Sequence, residues 1–372
     1  MKKFAKRAAA LLLAVVLTFS LAGCYSEDMT WAAKAGNDTL PVGGYIYYLS
    51  SAYSEAAGMI DSEQKVLDSE IEGKAAKDWI LDRADLYVKQ YFWVNEEFER
   101  LGLEMTEEDY KEAANSTSSY WSVYGATFEP LGVAKSSFDL VYSQYNVKSL
   151  KLLQVLYGEG GEKEVSDDEI TAYFADNYYN YEYFRVPTVL PNDEGEYIDM
   201  TEDEKAALKK ELEDTQKQLE KKELTVHEAY EQYAKKYSED YTYYSAEVNS
   251  LATFVNSSVP TELPTAVDAL KDNEITVFET SEFMVLLKRL PIEDMFDRIL
   301  SEEEGNRMSI LLEMKLNEFL DSVKETAADF SGIEMNEKVL SRYTPKMLAK
   351  DEAAYGMLTA EEEAAEETAD EE

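Results

Sequence analysis

Histidine, cysteine and basic side chains are scarce in this chain. Its 372 residues include one histidine, His227, one cysteine, Cys24, and 36 lysines and arginines against 76 aspartates and glutamates. A single histidine excludes a multi-histidine metal site, and a serine–histidine–acid triad would have to use His227. The formal net charge of −40 argues against nucleic-acid binding, because neutralising phosphates requires a basic face.

Long apolar runs are equally scarce, and the one that exists lies near the amino terminus. It extends over 8–22, behind four basic residues, and it is too short to span a bilayer. This pattern is typical of a signal peptide. The run ends in Leu21-Ala22-Gly23-Cys24, which resembles the lipobox of bacterial lipoproteins. In that family the cysteine becomes the first residue of the mature protein and carries lipid chains such as palmitate. We therefore predict a signal peptide over 1–23 and lipidation of Cys24.

The predicted anchor bears on location and on stability. It places the mature chain on the extracytoplasmic face of the cell membrane. With Cys24 lipidated, no disulfide is available, so the burial of apolar surface alone must hold the fold. The acidic body of the protein is expected to avoid anionic lipid, which leaves the anchor as its membrane contact.

Residues 24–165 predict a helical region rich in tyrosine. It opens with a strand over 30–35 and an aromatic helix around Tyr45 and Tyr53. Further helices are predicted over 75–101, from Thr106 onward and over 136–157, because apolar residues recur there at helical spacing. The clearest stripe belongs to the first of these three: Ile80, Tyr87, Tyr91, Val94, Phe98 and Leu101.

A small α+β module is predicted over 166–290. Ser166–Glu169 and Thr201–Glu204 are capping boxes, in which the hydroxyl accepts from the third amide and the glutamate reaches back to the helix start. His227 lies at the edge of an apolar helical stripe, which indicates a surface histidine. The candidate strands are the apolar or aromatic runs Tyr181–Leu190, Val248–Val255, Ile275–Phe278 and Phe283–Leu290.

Two segments complete the chain. Residues 291–345 predict a C-terminal helix and a short strand that pack on the N-terminal region. Residues 346–372 predict a disordered tail, because every charged side chain from Asp351 onward is acidic and like charges repel one another.

Four stretches in order along the chain resemble the PrsA/SurA-like foldases, in which a helical chaperone domain carries an inserted parvulin-type peptidyl-prolyl isomerase domain. They are Trp31–Tyr53, Val165–Ile170, Tyr233-Ala234-Lys235-Lys236-Tyr237-Ser238-Glu239-Asp240 and Gly332–Asn336. The resemblance implies an α+β protein with a mainly helical SurA-like N-terminal and C-terminal chaperone domain and a small inserted parvulin-like domain.

The resemblance fails at the residues that would carry the catalysis. Thr188 stands where parvulins usually have a histidine in the first strand of the module, and Met284 or Val285 stands at the histidine of the last strand. Tyr241–Tyr244 replaces the expected glycine pair and acidic residue. Rotation about a prolyl bond has a barrier of about 18–20 kcal/mol, which an isomerase lowers with a shaped pocket and placed hydrogen bonds. We therefore expect weak or no isomerase activity.

Three functions remain open on this basis. The first is a lipid-anchored chaperone for unfolded or partly folded secreted polypeptides, with exposed tyrosines as the contact surface. The second is an active isomerase with a divergent pocket, for which Thr188, Tyr183 and Tyr243 are the polar candidates. The third is a solute-binding or cell-wall lipoprotein, although the helical N-terminal region lacks the alternating strands and helices of solute-binding proteins. No metal or cofactor is assigned.

Overall fold

The structure is a computed structural model that describes residues 30–61, 64–192, 195–250, 260–301 and 306–349. The predicted signal peptide, Cys24 and most of the acidic tail lie outside these residues. The described chain divides into two compact units, one made of residues from 30–156 and 315–349 and the other of residues from 157–314. Within the described chain, no helix is long and apolar enough to cross a membrane.

The first unit is mainly helical around a small antiparallel sheet with the strand order β11 (Glu334–Met335), β1 (Trp31–Ala35), β2 (Asp38–Pro41). Ala33 of β1 pairs with Met335 of β11, the short closing strand that the sequence predicts, and Lys34 pairs with Thr39 of β2. Its strands are β1 (Trp31–Ala35), β2 (Asp38–Pro41), β3 (Glu70–Ile71), β4 (Lys74–Ala75) and β11 (Glu334–Met335). Its helices are α1 (Val42–Gly58), α2 (Ala76–Arg100), α3 (Glu107–Leu131), α4 (Lys135–Phe138), α5 (Tyr145–Tyr157), most of α11 (Asn306–Ala328) and α12 (Glu337–Leu340).

Helix α1 lies in the middle of this unit because two adjacent glycines let it approach its neighbours closely. A β-carbon built on Gly44 would lie 2.6 Å from Cγ1 of Val141, and one built on Gly43 would lie 2.6 Å from Oγ of Ser137. Both distances are shorter than van der Waals contact, so only glycine fits. The opposite face of α1, which includes Leu49 and Tyr53, is buried in the core of the unit.

The sequence predicts one continuous helix over 136–157, and the structure interrupts it with a π-helical turn, Asp139–Gln144. Side chains stabilise this wider turn: Oγ1 of Thr117 lies 2.7 Å from Oδ1 of Asp139, and the hydroxyl of Tyr48 donates to the Val141 carbonyl at 3.3 Å. Turns of this kind are often found at functional sites. This one places Tyr142 beside a surface groove described below.

The second unit is built on an antiparallel sheet with the strand order β8 (Tyr243–Ser250), β5 (Tyr178–Pro187), β10 (Phe283–Leu290), β9 (Ile275–Glu279). In register, Tyr183 of β5 pairs with Ser245 of β8 and Leu287 of β10. Its strands are β5 (Tyr178–Pro187), β6 (Val189–Pro191), β7 (Tyr197–Asp199), β8 (Tyr243–Ser250), β9 (Ile275–Glu279) and β10 (Phe283–Leu290). Its helices are α6 (Asp167–Asn177), α7 (Glu202–Glu220), α8 (Val226–Tyr237), α9 (Leu263–Ala269) and α10 (Phe296–Ile299), with the start of α11.

The sheet separates two apolar clusters, because successive side chains of a strand point to opposite faces. Phe184 and Met284 pack with Leu208 of α7 on one face. Tyr183 and Val285 pack with residues of α9 on the other. Since both faces are covered, the central part of β10, Met284–Leu287, is buried and hydrophobic without interruption.

Local signals place several element boundaries correctly, and packing moves others. The predicted capping boxes at Ser166 and Thr201 are present, with both hydrogen bonds made. The predicted strand over 181–190 instead begins at Tyr178 and ends at Pro187, followed by the separate strand β6. Strand β8 begins at Tyr243, before the predicted run, whose end lies outside the described residues. The predicted fold class, α+β and mainly helical with a small inserted α+β domain, is confirmed.

Candidate functional site

The second unit has a surface cleft of about 470 Å³ at the end of the sheet where β5, β8 and β10 meet. Its walls combine apolar, aromatic and acidic side chains. The lining residues are Arg185, Pro187, Val189, Tyr197, Glu239, Asp240, Tyr241, Thr242, Tyr243, Glu282 and Phe283. A cleft of this size accepts a few residues of an extended peptide.

Arg185 lies between two aromatic rings in this cleft. Its guanidinium carbon is 4.9 Å from the ring centroid of Tyr243 and 4.4 Å from that of Phe283. Contacts of this geometry are attractive because the ring faces carry partial negative charge. The buried Nε of Arg185 has no hydrogen-bond partner among the described residues. A donor is thus held at the cleft without an acceptor.

Tyr183 supports the cleft from below, since its ring centroid lies 6.0 Å from that of Tyr243. Tyr183 is 1% exposed, whereas Tyr243 is 44% exposed. Burial, together with the nearby charge of Glu247, raises the pKa of Tyr183 well above its ordinary value. Tyr183 therefore stays neutral at any physiological pH, so it can act only through its ring or a neutral hydroxyl.

Thr188 is fully buried and is not among the residues that line the cleft. Its amide donates to the Glu282 carbonyl at 2.8 Å, and its carbonyl accepts from the Met200 amide at 2.7 Å. Its hydroxyl oxygen has no hydrogen-bond partner among the described residues. Met284 and Val285 are also fully buried, on opposite faces of the sheet. Of the three residues predicted as polar site candidates, Tyr243 alone lines the cleft, whereas Tyr183 contacts its ring from the interior and Thr188 is buried.

The replacement Thr188→Val tests whether this hydroxyl lacks a hydrogen-bond partner in the folded protein. Valine has the same shape and removes a buried polar group that lacks a partner, so we expect it to raise the free energy of unfolding by about 1 kcal/mol. Chemical denaturation followed by circular dichroism would measure the change. A loss of more than about 1 kcal/mol would mean that the hydroxyl makes a stabilising contact in the folded protein.

Three acidic residues at the rim of the cleft were not singled out as site residues from the sequence. Glu239, Asp240 and Glu282 are all exposed, and in the part of the chain that the structure describes none forms an ion pair. Glu239 and Asp240 directly follow Ser238, whereas Glu282 precedes Phe283 and is distant from them in sequence. Only the approach of β10 to the segment before β8 brings them to one cleft.

His227 lies away from the cleft. Its side chain is 54% exposed on α8, as its place beside the apolar stripe predicts, and its ring centroid is 5.0 Å from that of Tyr244. Tyr244 packs against the apolar cluster that contains Phe184 and Leu208 of α7. Because this is the only histidine in the chain, no imidazole is available at the cleft.

The first unit has its own groove, of about 470 Å³, between α1, α3 and the π-helical turn. Six of its lining residues are aromatic, and we call them the aromatic groove: Tyr47, Tyr120, Tyr124, Phe128, Phe138 and Tyr142. Phe138 is the buried centre, with ring centroids of Tyr142 at 4.9 Å and Tyr47 at 5.2 Å. Tyr120 is 43% exposed, so the cluster presents ring surface to solvent.

Polar groups lie along one side of the aromatic groove. Nε of Arg83 donates to Oε2 of Glu55 at 2.6 Å, and the Tyr87 hydroxyl donates to the same oxygen at 2.7 Å. Burial alone would raise the pKa of Glu55, but these hydrogen bonds lower it below its usual value. Arg83 and Tyr87 also line a neighbouring depression of about 390 Å³. Glu55 is therefore ionised at neutral pH and its charge is matched within the unit.

Comparison with known families identifies the module around the cleft. Residues 189–290 match the family model described as rotamase, PPIC-type PPIASE domain. The chain contains a parvulin-type domain. The matched residues begin directly after Thr188 and include the acidic rim and β10. The predicted parvulin module is thereby confirmed.

Searches of whole proteins add structural neighbours. No curated protein matches the chain. The crystal structure of the foldase protein PrsA from Lactococcus lactis is similar at 14% identity, covering 84% of this chain and 99% of that chain with a TM-score of 0.34. PrsA from Bacillus subtilis is 15% identical, with 74% and 92% covered and a TM-score of 0.27. PrsA from Streptococcus pneumoniae is 15% identical, with 71% and 90% covered and a TM-score of 0.32.

Metal binding finds no support in the residues that the structure covers. They contain no group of three or more histidine, cysteine, aspartate or glutamate side chains placed to hold a metal ion. The cleft itself offers tyrosine rings and hydroxyls, the hydroxyl of Thr242, one guanidinium and three carboxylates.

Proposed function

We propose that this chain is an extracytoplasmic, lipid-anchored folding chaperone whose parvulin-type domain binds prolyl segments but catalyses their isomerisation weakly or not at all. Its clients would be unfolded or partly folded secreted polypeptides. The anchor would be Cys24, which lies outside the described residues and is proposed from the lipobox-like sequence before it. The predicted domain limits, 24–165, 166–290 and 291–345, are part of this proposal.

The observation that carries the proposal is a parvulin-type domain whose cleft has no imidazole. Without an imidazole network placed at the prolyl amide, most of the barrier of about 18–20 kcal/mol stays in place. Tyr243 offers its ring at the cleft, with the buried ring of Tyr183 behind it, and Thr188 is buried outside the cleft. Such a cleft can bind a ring-containing segment without accelerating its rotation.

The aromatic groove supports the chaperone part of the proposal. Tyrosine rings bury apolar area while the hydroxyl stays in contact with water, so they bind many apolar sequences without reading one of them. Tyr120 and Tyr124 stack with a centroid distance of 6.1 Å at the surface of the groove. An unfolded polypeptide would cover these rings, whereas a folded one exposes few apolar side chains to them.

The proposal is tested by the aggregation of an unfolded secreted protein in the presence of the purified chain. The double replacement Tyr120→Ser and Tyr124→Ser should lower the protection by at least about half, because the exposed ring of Tyr120 and the half-buried ring of Tyr124 are both lost. Light scattering during dilution of the client from denaturant measures the protection.

Tyr110→Ser is the matched control. Tyr110 is on the same helix, α3, and is 52% exposed, but it does not line the groove. Its loss should leave the protection unchanged. Absence of protection by the unmodified chain at molar excess would overturn the chaperone proposal. An equal loss of protection in both variants would show that the aromatic groove is not the client-binding surface.

A further inference from the structure

The parvulin-type cleft combines three kinds of group that together match one class of ligand. Its walls are apolar and aromatic, its floor has hydrogen-bond donors without acceptors, and its rim is acidic. We propose that it binds extended polypeptide segments in which a proline or an aromatic residue lies next to a lysine or arginine. This inference rests on the proposed function, because it names the substrate class of the same cleft.

The apolar walls select a ring-containing or branched side chain. Pro187, Val189 and Phe283 line the cleft, and Tyr197 is 68% exposed on the hairpin formed by β6 and β7. Apolar rings bury favourably against such surfaces. These walls favour apolar side chains but do not read the charge of the neighbouring residue, so a second feature has to provide that selectivity.

The floor supplies donors for a peptide backbone. Thr242 lines the cleft and is 2% exposed, and its hydroxyl has no hydrogen-bond partner among the described residues. Nε of Arg185 is also buried and has no hydrogen-bond partner among the described residues. Buried donors in folded proteins almost always have an acceptor, so a donor in a cleft wall that lacks one can be completed by a ligand. A peptide carbonyl is the acceptor that every extended segment carries.

The rim supplies the charge selectivity. Glu239, Asp240 and Glu282 are exposed and lack ion-pair partners in the described chain, whereas Arg185 is held between the two rings. Three carboxylates against one guanidinium leave the cleft net negative. A cationic side chain is attracted to such a rim, and an acidic one is repelled.

The experiment compares binding of two labelled peptides that differ at one position next to a central proline, lysine in one and glutamate in the other. Fluorescence anisotropy with the purified full chain measures the affinities. At low ionic strength we expect the lysine peptide to bind about fivefold more tightly, and we expect the advantage to shrink as salt screens the charges.

Charge reversal at the rim should abolish this preference. In Asp240→Lys with Glu282→Lys, the glutamate peptide should bind at least as well as the lysine peptide. The control Glu213→Lys with Glu223→Lys makes the same change in charge at exposed positions that do not line the cleft, and it should keep the preference. A preference lost equally in both variants would point to overall charge and overturn the assignment to this rim.

Thr242→Val tests the donor in the floor. The replacement should weaken both peptides about equally, by roughly fivefold, while raising the thermal unfolding midpoint, because a buried hydroxyl without a partner is removed. Unchanged affinity would exclude Thr242 from the binding surface.

The possible failures are distinguishable. Equal affinity of the unmodified chain for both peptides would overturn the charge selectivity and leave the chaperone proposal standing. No binding of either peptide by a chain that still prevents aggregation would overturn the cleft as a binding site. A chain that does neither would contradict the proposed function itself.

Discussion

The purified chain is expected to leave prolyl isomerisation within about twofold of its uncatalysed rate, even at high protein concentration. A placed acid, base or donor network typically contributes on the order of a hundredfold or more to a rate. This cleft offers the exposed Tyr243, with the buried ring of Tyr183 behind it, and the hydroxyl of Thr242, but no imidazole. Its one cation, Arg185, is held between two rings.

A proline-containing peptide with a chromogenic reporter measures this rate, and an active parvulin-type domain at the same concentration is the positive control. A catalysed rate that rises in proportion to the amount of chain would contradict the expectation. In that case Tyr183→Phe and Tyr243→Phe would show whether a divergent pocket is responsible, since each variant removes one hydroxyl and keeps the ring.

Phe138→Ala is expected to lower the free energy of unfolding of the first unit by about 3–5 kcal/mol. Phe138 is 2% exposed and lies at the centre of the aromatic groove. The rings of Tyr142, Tyr47, Phe128 and Trp121 all lie within 6 Å of it, centroid to centroid. Truncation removes these contacts and leaves a cavity among rigid rings that cannot close it.

Tryptophan fluorescence in urea measures this change selectively. All four tryptophans, Trp31, Trp79, Trp93 and Trp121, belong to the first unit, so their signal reports the unfolding of that unit alone. Val123→Ala on α3 is the control, because Val123 is 62% exposed and its loss should change stability by less than about 0.5 kcal/mol. A loss below about 1 kcal/mol for Phe138→Ala would show that the groove adapts to the missing ring.

Phe138→Ala also tests whether the buried ring is needed for the chaperone activity of the groove. If it retains the fold at low temperature, its protection of an aggregating client should fall with that of Tyr120→Ser and Tyr124→Ser. The reason is that the exposed rings are positioned by the buried one: Tyr120 lies 6.4 Å from Phe138, centroid to centroid.

Short-range signals in the sequence determined many of the elements of this protein. The capping boxes at Ser166 and Thr201 mark two helix starts, because the bonds that form them connect residues three apart. The apolar spacing of the helix over 76–100 and the strand-like runs of β5, β9 and β10 likewise depend on neighbours along the chain. The absence of an imidazole from the cleft was also predicted, since the one histidine, His227, falls on a helical pattern outside the candidate strands.

Tertiary structure alone decided what the cleft is made of. Arg185 lies between Tyr243 and Phe283 because strand pairing brings β8 and β10 to either side of β5. The same pairing buries Thr188 and gathers the distant acidic residues at one rim. The π-helical turn at Asp139 depends on a hydrogen bond from Thr117, 22 residues earlier in the chain. These contacts join residues far apart in sequence, so no local pattern encodes them.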